Sequence, residues 1–76
     1  MGDISQTLDV RGQSCPLPVV RASQAIKQLQ AGQLLEVLAT DPGSLTDFPA
    51  WAKTTGNKIV EHDQDDGVFR YVVRKA

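Results

Sequence analysis

Two prolines one residue apart, Pro16 and Pro18, leave this chain a single regular continuation around them. Neither can donate a backbone hydrogen bond and both fix φ near about −65°, which closes strand and helix interiors to them. The first turn of a helix remains open, because its N–H groups have no intrahelical acceptor in any case. The following residues fit that reading. Val19, Ala22, Ile26 and Leu29 recur at the spacing of one helix face, with Arg21, Gln24, Lys27 and Gln28 turned outward. The expectation is a helix from Pro16 to Ala31, with Cys15 as its N-cap, Pro16 and Pro18 at the first and third helical positions, and Gly32 as its stop.

On either side the period changes to that of a strand. From Ile4 to Val10 the set Ile4, Leu8 and Val10 alternates with Ser5, Thr7 and Asp9, Gln6 interrupting the inward side, and Arg11 and Gly12 end the run. Leu34 to Thr40 turns Leu35, Val37 and Ala39 inward before an Asp41-Pro42-Gly43 turn. A second helix is expected over Ser44 to Thr55, where Leu45, Phe48, Trp51 and Ala52 share a face and Ser44 or Asp47 can cap the start. Pro49 is harmless there if the regular part begins at Asp47; otherwise the helix is kinked or preceded by a looser turn. Gly56 closes it. Lys58 to Asp63 and Val68 to Arg74 read as strands joined by Gln64-Asp65-Asp66-Gly67, a strong hairpin signal.

The order βαβαββ, with right-handed crossovers stepping in one direction, predicts an α+β two-layer sandwich: a four-stranded mixed sheet with both helices on one face. A chain of 76 residues with 41% apolar side chains supports one such domain, spanning residues 1–76. The bare face is expected to show Leu34, Leu38 and Val72 as an apolar patch. The charged run Glu61, Asp63, Asp65 and Asp66 reads as a solvated hairpin face, and Arg70, Arg74 and Lys75 as edge-strand charges.

A net charge of −1 argues against the basic field that nucleic-acid binding requires, so no direct DNA contact is expected and a protein partner is. No apolar run is long enough to span a bilayer, no secretory segment is evident, and Gln6 spoils a myristoylation match at Met1-Gly2. One cysteine forms no internal disulfide and fits a reducing compartment, the cytoplasm.

Cys15 is the position that looks chemical. Free cysteines are most often small buried hydrophobes, yet one that precedes a helix, follows a glycine loop and is bracketed by proline belongs to the surface. A thiolate there is stabilised by the helix end and by early N–H donors, those of Leu17 and Val19. The dipole alone contributes only about 0.3 to 1 kcal/mol, so direct donation or a nearby cation, Arg11 being nearest in sequence, must supply the rest. One Cys and one His make no zinc site, and His62, set in a strand between Glu61 and Asp63, reads as solvated rather than as a base for Cys15. No metal or cofactor is called for. What remains is a thiol that accepts a group and gives it away, and persulfide transfer needs only one cysteine per protein.

These residues resemble the TusA/SirA-like sulfur-carrier family, small βαβαββ proteins with a Cys-Pro-x-Pro motif at the start of the first helix. The likeness runs through Thr7-Leu8-Asp9, Gly12, Cys15-Pro16-Leu17-Pro18-Val19, Gly32, Asp41-Pro42, Asp47, Pro49, Arg70-Tyr71 and Arg74-Lys75. It implies a sulfurtransferase-type carrier in which Cys15 takes persulfide sulfur from a cysteine desulfurase or other donor and passes it to a downstream acceptor protein, with tRNA thiolation among the routes. Gly12, Pro16, Leu17 and Pro18 then support the motif, and Arg11, Arg21, Lys27 and Asp41 are candidates for partner docking. Gln13, Ser14 and Leu17 depart from the residues common in TusA proper. The competing expectation is a non-catalytic protein-binding or regulatory module of the same fold.

Overall fold

The computed structural model describes residues 4–14 and 16–76; the readings that fall on Met1, Gly2 and Cys15 concern residues outside this set. In chain order the elements are β1 (Ile4–Val10), α1 (Leu17–Ile26), β2 (Leu34–Ala39), α2 (Ser44–Thr55), β3 (Lys58–Asp65) and β4 (Val68–Arg74). The strands form one sheet in the order β1-β2-β4-β3, with β1 parallel to β2 and the other pairs antiparallel. This is the expected α+β mixed sheet with both helices packed on one face. No helix among the described residues is long and apolar enough to cross a membrane.

The inward alternation of β2 is as the sequence reads: Leu35, Val37 and Ala39 are fully buried against the helices. In β1 the register slips at Ser5, so Ile4 pairs with Leu34 on the open face while Gln6 pairs with Leu35 on the helix side. The interruption at Gln6 is thus a change of face, and Val10 alone closes the strand as fully buried core. The β3–β4 turn carries positive φ at both Asp66 and Gly67, the signature of a type I′ hairpin.

The helix ends settle what the sequence leaves open and change part of what it leads us to expect. Helix α1 stops at Ile26 rather than Ala31: Gln28 and Leu29 donate to the carbonyls of Ala25 and Ile26, three residues back, in tighter turns. Lys75 then donates through Nζ to the Leu29 carbonyl at 2.5 Å, and Gly32 and Gln33 exchange backbone bonds with Lys75. Helix α2 has Gly43 as its N-cap with no side-chain cap hydrogen bond, so Pro49 sits inside the helix instead of in its first turn. Its opening is a tight turn with the amides of Ser44, Leu45 and Thr46 donating three residues back, the looser alternative. Ser44 does not cap; its hydroxyl meets the Tyr71 hydroxyl at 2.9 Å, both residues almost wholly buried.

The open face carries no continuous apolar patch. Val72 is fully buried there and Leu34 and Leu38 are half-buried. Because β4 is an interior strand, Arg70 is no edge charge: it pairs with Glu36 of β2 at 2.5 Å and with Asp63 of β3 at 2.8 Å, with Glu61 at 3.8 Å. Hydrogen bonding to Arg70 holds the Glu36 carboxyl below its ordinary range.

Candidate functional site

The first connection, from β1 to α1, is tied at successive residues. Val10 to Gln13 is a turn in which Gln13 donates to the Val10 carbonyl at 3.2 Å and Gly12, at the third position, has φ +80°. With no positive φ at Arg11 this is a type II turn, which asks for glycine at that place. The Gly12 amide donates to the Thr40 hydroxyl at 2.8 Å, joining the loop to the residue that follows β2. Ser14 then accepts from the Leu17 amide at 2.9 Å, and the first helical bond runs from Val20 to Pro16 at 3.1 Å.

The helix therefore begins one residue later than the spacing suggests. Pro16 is the N-cap, with φ −97° and ψ 12°, and Pro18 is the second helical residue and buried. Ser14 captures the Leu17 N–H in a tight turn, so helical geometry starts only beyond it. That donor, expected to serve a thiolate, is already engaged. The reading of Cys15 as N-cap falls outside the described residues.

Among the described residues the first turn of α1 holds no acidic residue and no side-chain cap hydrogen bond. Arg11 is turned to Asp9, which it holds through Nε at 2.9 Å and Nη2 at 2.8 Å, while its amide donates to the same carboxylate. These hydrogen bonds lower the Asp9 carboxyl to about 2. The cation nearest in sequence to Cys15 is thus paired within its own turn.

The other docking candidates separate. Asp41 lies in the β2–α2 connection at the same end of the sheet as Gly12, and its carbonyl accepts the Ser44 amide, a turn with Pro42 at the second position. Leu17 is 49% exposed at the start of α1, and Arg21 is exposed within the helix. Lys27 caps the far end, roughly 15 Å along the axis, where it lines a cavity of about 230 Å³ with Ile26, Trp51 and Lys75. The structure does not bring Lys27 to the Gly12 loop.

His62 stacks on Tyr71 with centroids 4.7 Å apart, on the strand at the opposite edge from β1. Three strand spacings, roughly 14 Å, separate those edges, too far for a base serving the first loop. Among the described residues no group of His, Cys, Asp and Glu is arranged to hold a metal ion. The sequence reading missed Thr40, taken for an outward strand residue, and Gln13, whose side-chain oxygen is buried without a hydrogen-bond partner. A hydroxyl residue where one parallel strand ends beside a glycine turn of its neighbour was the available signal.

Residues 6–75 match the family described as Sulfurtransferase TusA. The chain is 45% identical over 76 residues to the sulfur carrier protein TusA of Allochromatium vinosum, covering the whole of both. It is 50% identical over 75 residues to a putative sulfur carrier protein of Halobacterium salinarum, covering 97% of this chain and 93% of that one. The crystal structure of a SirA-like protein from Desulfitobacterium hafniense superposes with a TM-score of 0.80 at 32% identity, covering 91% of this chain and 95% of the other.

Proposed function

The chain belongs to the TusA family of sulfur carriers, and from that premise we propose that Cys15 is the residue on which sulfur rides. The Cys15 thiolate attacks the outer sulfur of a donor persulfide; the new S–S bond forms as the old one breaks, and the donor leaves as its own thiolate. An acceptor nucleophile then attacks the outer sulfur on Cys15 and returns the thiolate. A carrier of this kind needs a donor and an acceptor in turn. We assign the donor role to a cysteine desulfurase, the acceptor role to a downstream protein, with tRNA thiolation as the outermost step, and the setting to the reducing cytoplasm that keeps a lone thiol free.

The observation that carries this reading is the start of α1. Residue 15 directly precedes the N-cap Pro16, and the described first turn offers neither a carboxylate nor a side-chain cap to compete with an anion. Gly12, Pro16, Leu17 and Pro18 are proposed to shape that opening, and exposed Leu17 and Arg21 to meet the partners.

Incubation with a cysteine desulfurase and cysteine, followed by intact-mass measurement, is expected to show one added sulfur that a reducing agent removes. Cys15→Ser should abolish it. No adduct on the wild type overturns the proposal.

A further inference from the structure

The first connection is held from two sides, and the two differ in kind. On its own side the ties are local in sequence: Gln13 to the Val10 carbonyl, Leu17 to the Ser14 carbonyl and Arg11 to the Asp9 carboxylate. From the neighbouring strand the tie is a side chain, the Thr40 hydroxyl accepting the Gly12 amide at 2.8 Å. Gly12 meets no heavy atom within 4 Å of where a Cβ would stand, so packing does not press the loop into place. The side-chain oxygen of Gln13 is buried and finds no donor. A loop with open space at its glycine and an unmet acceptor beside it depends on the hydrogen bonds that remain.

We propose that Thr40 is a positioning residue for sulfur transfer, its hydroxyl fixing the Gly12–Ser14 loop against the end of β2 and so setting the place from which Cys15 meets its partners. The inference rests on the sulfur-carrier reading of Cys15. Chain connectivity supplies the physical link. Gly12 stands three residues before Cys15, and the Ser14 carbonyl is engaged by the helix start on its other side. With Gly12 tied to β2, the segment leading to residue 15 is anchored at one end to the sheet and at the other to α1. Release of the Gly12 tie removes the described anchor to β2 and leaves the loop held by its local bonds, Gln13 to Val10 and Leu17 to Ser14, and a group-transfer reaction between two proteins is sensitive to displacements of about 1 Å in the attacking atom. The role asks for a hydroxyl or another short acceptor and does not ask for the methyl group of threonine.

Two substitutions separate these parts. Thr40→Val keeps the branched shape and removes the acceptor; Thr40→Ser keeps the acceptor and removes the methyl. Each is compared with wild type in the rate of sulfur loading from a cysteine desulfurase, in the pH profile of Cys15 alkylation by iodoacetamide, and in hydrogen exchange of the Gly12 amide. Thr40→Val is expected to load about five-fold more slowly, the factor carried by one ordinary hydrogen bond, with a displaced alkylation profile and faster Gly12 exchange. Thr40→Ser should stay within two-fold of wild type in all three. Thr40→Val behaving as wild type, or Thr40→Ser failing as badly as Thr40→Val, overturns the role of the hydroxyl. An unprotected Gly12 amide in the wild-type protein does so without any variant. If wild type takes up no sulfur, the carrier reading falls, while alkylation and exchange still decide whether Thr40 governs the loop.

Discussion

The two helices begin at the same end of the sheet, after the parallel strands β1 and β2, and are held there by different means. The start of α2 is locked from inside: Ser44 meets Tyr71 in the core, and Phe48, fully buried, stacks on Tyr71 at 4.7 Å and meets Trp51 edge-on at 5.9 Å. The start of α1 is held from outside, by an exposed turn, a threonine hydroxyl and an arginine paired within its own loop. An interior lock fixes the fold but leaves nothing for a visitor to touch. An exterior tie keeps the backbone in register while Arg11, Ser14 and Leu17 stay exposed, which is what a protein exchanging a group with other proteins requires.

The largest test of this contrast is Phe48→Ala. Removing the ring from a site with no exposure should destabilise the protein by about 3–5 kcal/mol in urea denaturation. Under conditions where the variant is folded, sulfur loading per folded molecule should match wild type; a loss like that expected for Thr40→Val would show that the two starts are one unit. Next is Ser44→Ala, which strands the Tyr71 hydroxyl and should cost about 1–3 kcal/mol. Adding Tyr71→Phe to it should cost less than the two single changes together, because both remove one shared bond. The smallest effect is on acidification. The Asp9 carboxyl is held at about 2 in the folded chain, against about 3.9 unfolded, so the unfolded chain takes up the proton first. The Asp9–Arg11 contribution is therefore full above about pH 4 and lost as pH falls toward 2. Tyr71, raised by burial, does not titrate in that window. Melting curves at low salt should show an acid-side slope that Asp9→Asn slightly reduces, the part due to Glu36 and its bond to Arg70 remaining.

Much of this was legible along the chain. The α2 boundaries, its left-handed Gly56 and the Asp66-Gly67 turn follow from local rules that tertiary contacts did not override. What escaped reading was set by strand order. Nothing in the residues of a hairpin says which of its strands lies inside, so Arg70 read as a solvated edge charge and Val72 as exposed, although β4 fills the gap between β2 and β3. The same limit hid Thr40, whose partner Gly12 lies 28 residues away in sequence and beside it in space. At the site, Gly12 and the two prolines were visible because each has a backbone peculiarity of its own. The engagement of Leu17 by Ser14 was not, since it depends on how a turn closes.

The interior place of β4 also governs how this molecule comes into being. A nascent polypeptide still lacking Val68–Arg74 has β1 and β2 on one side and β3 on the other, with no hydrogen-bonded bridge between them. The sheet zips shut only when residues 68–74 arrive, so β3 stays unjoined to the β1–β2 pair until the strand between them has been made.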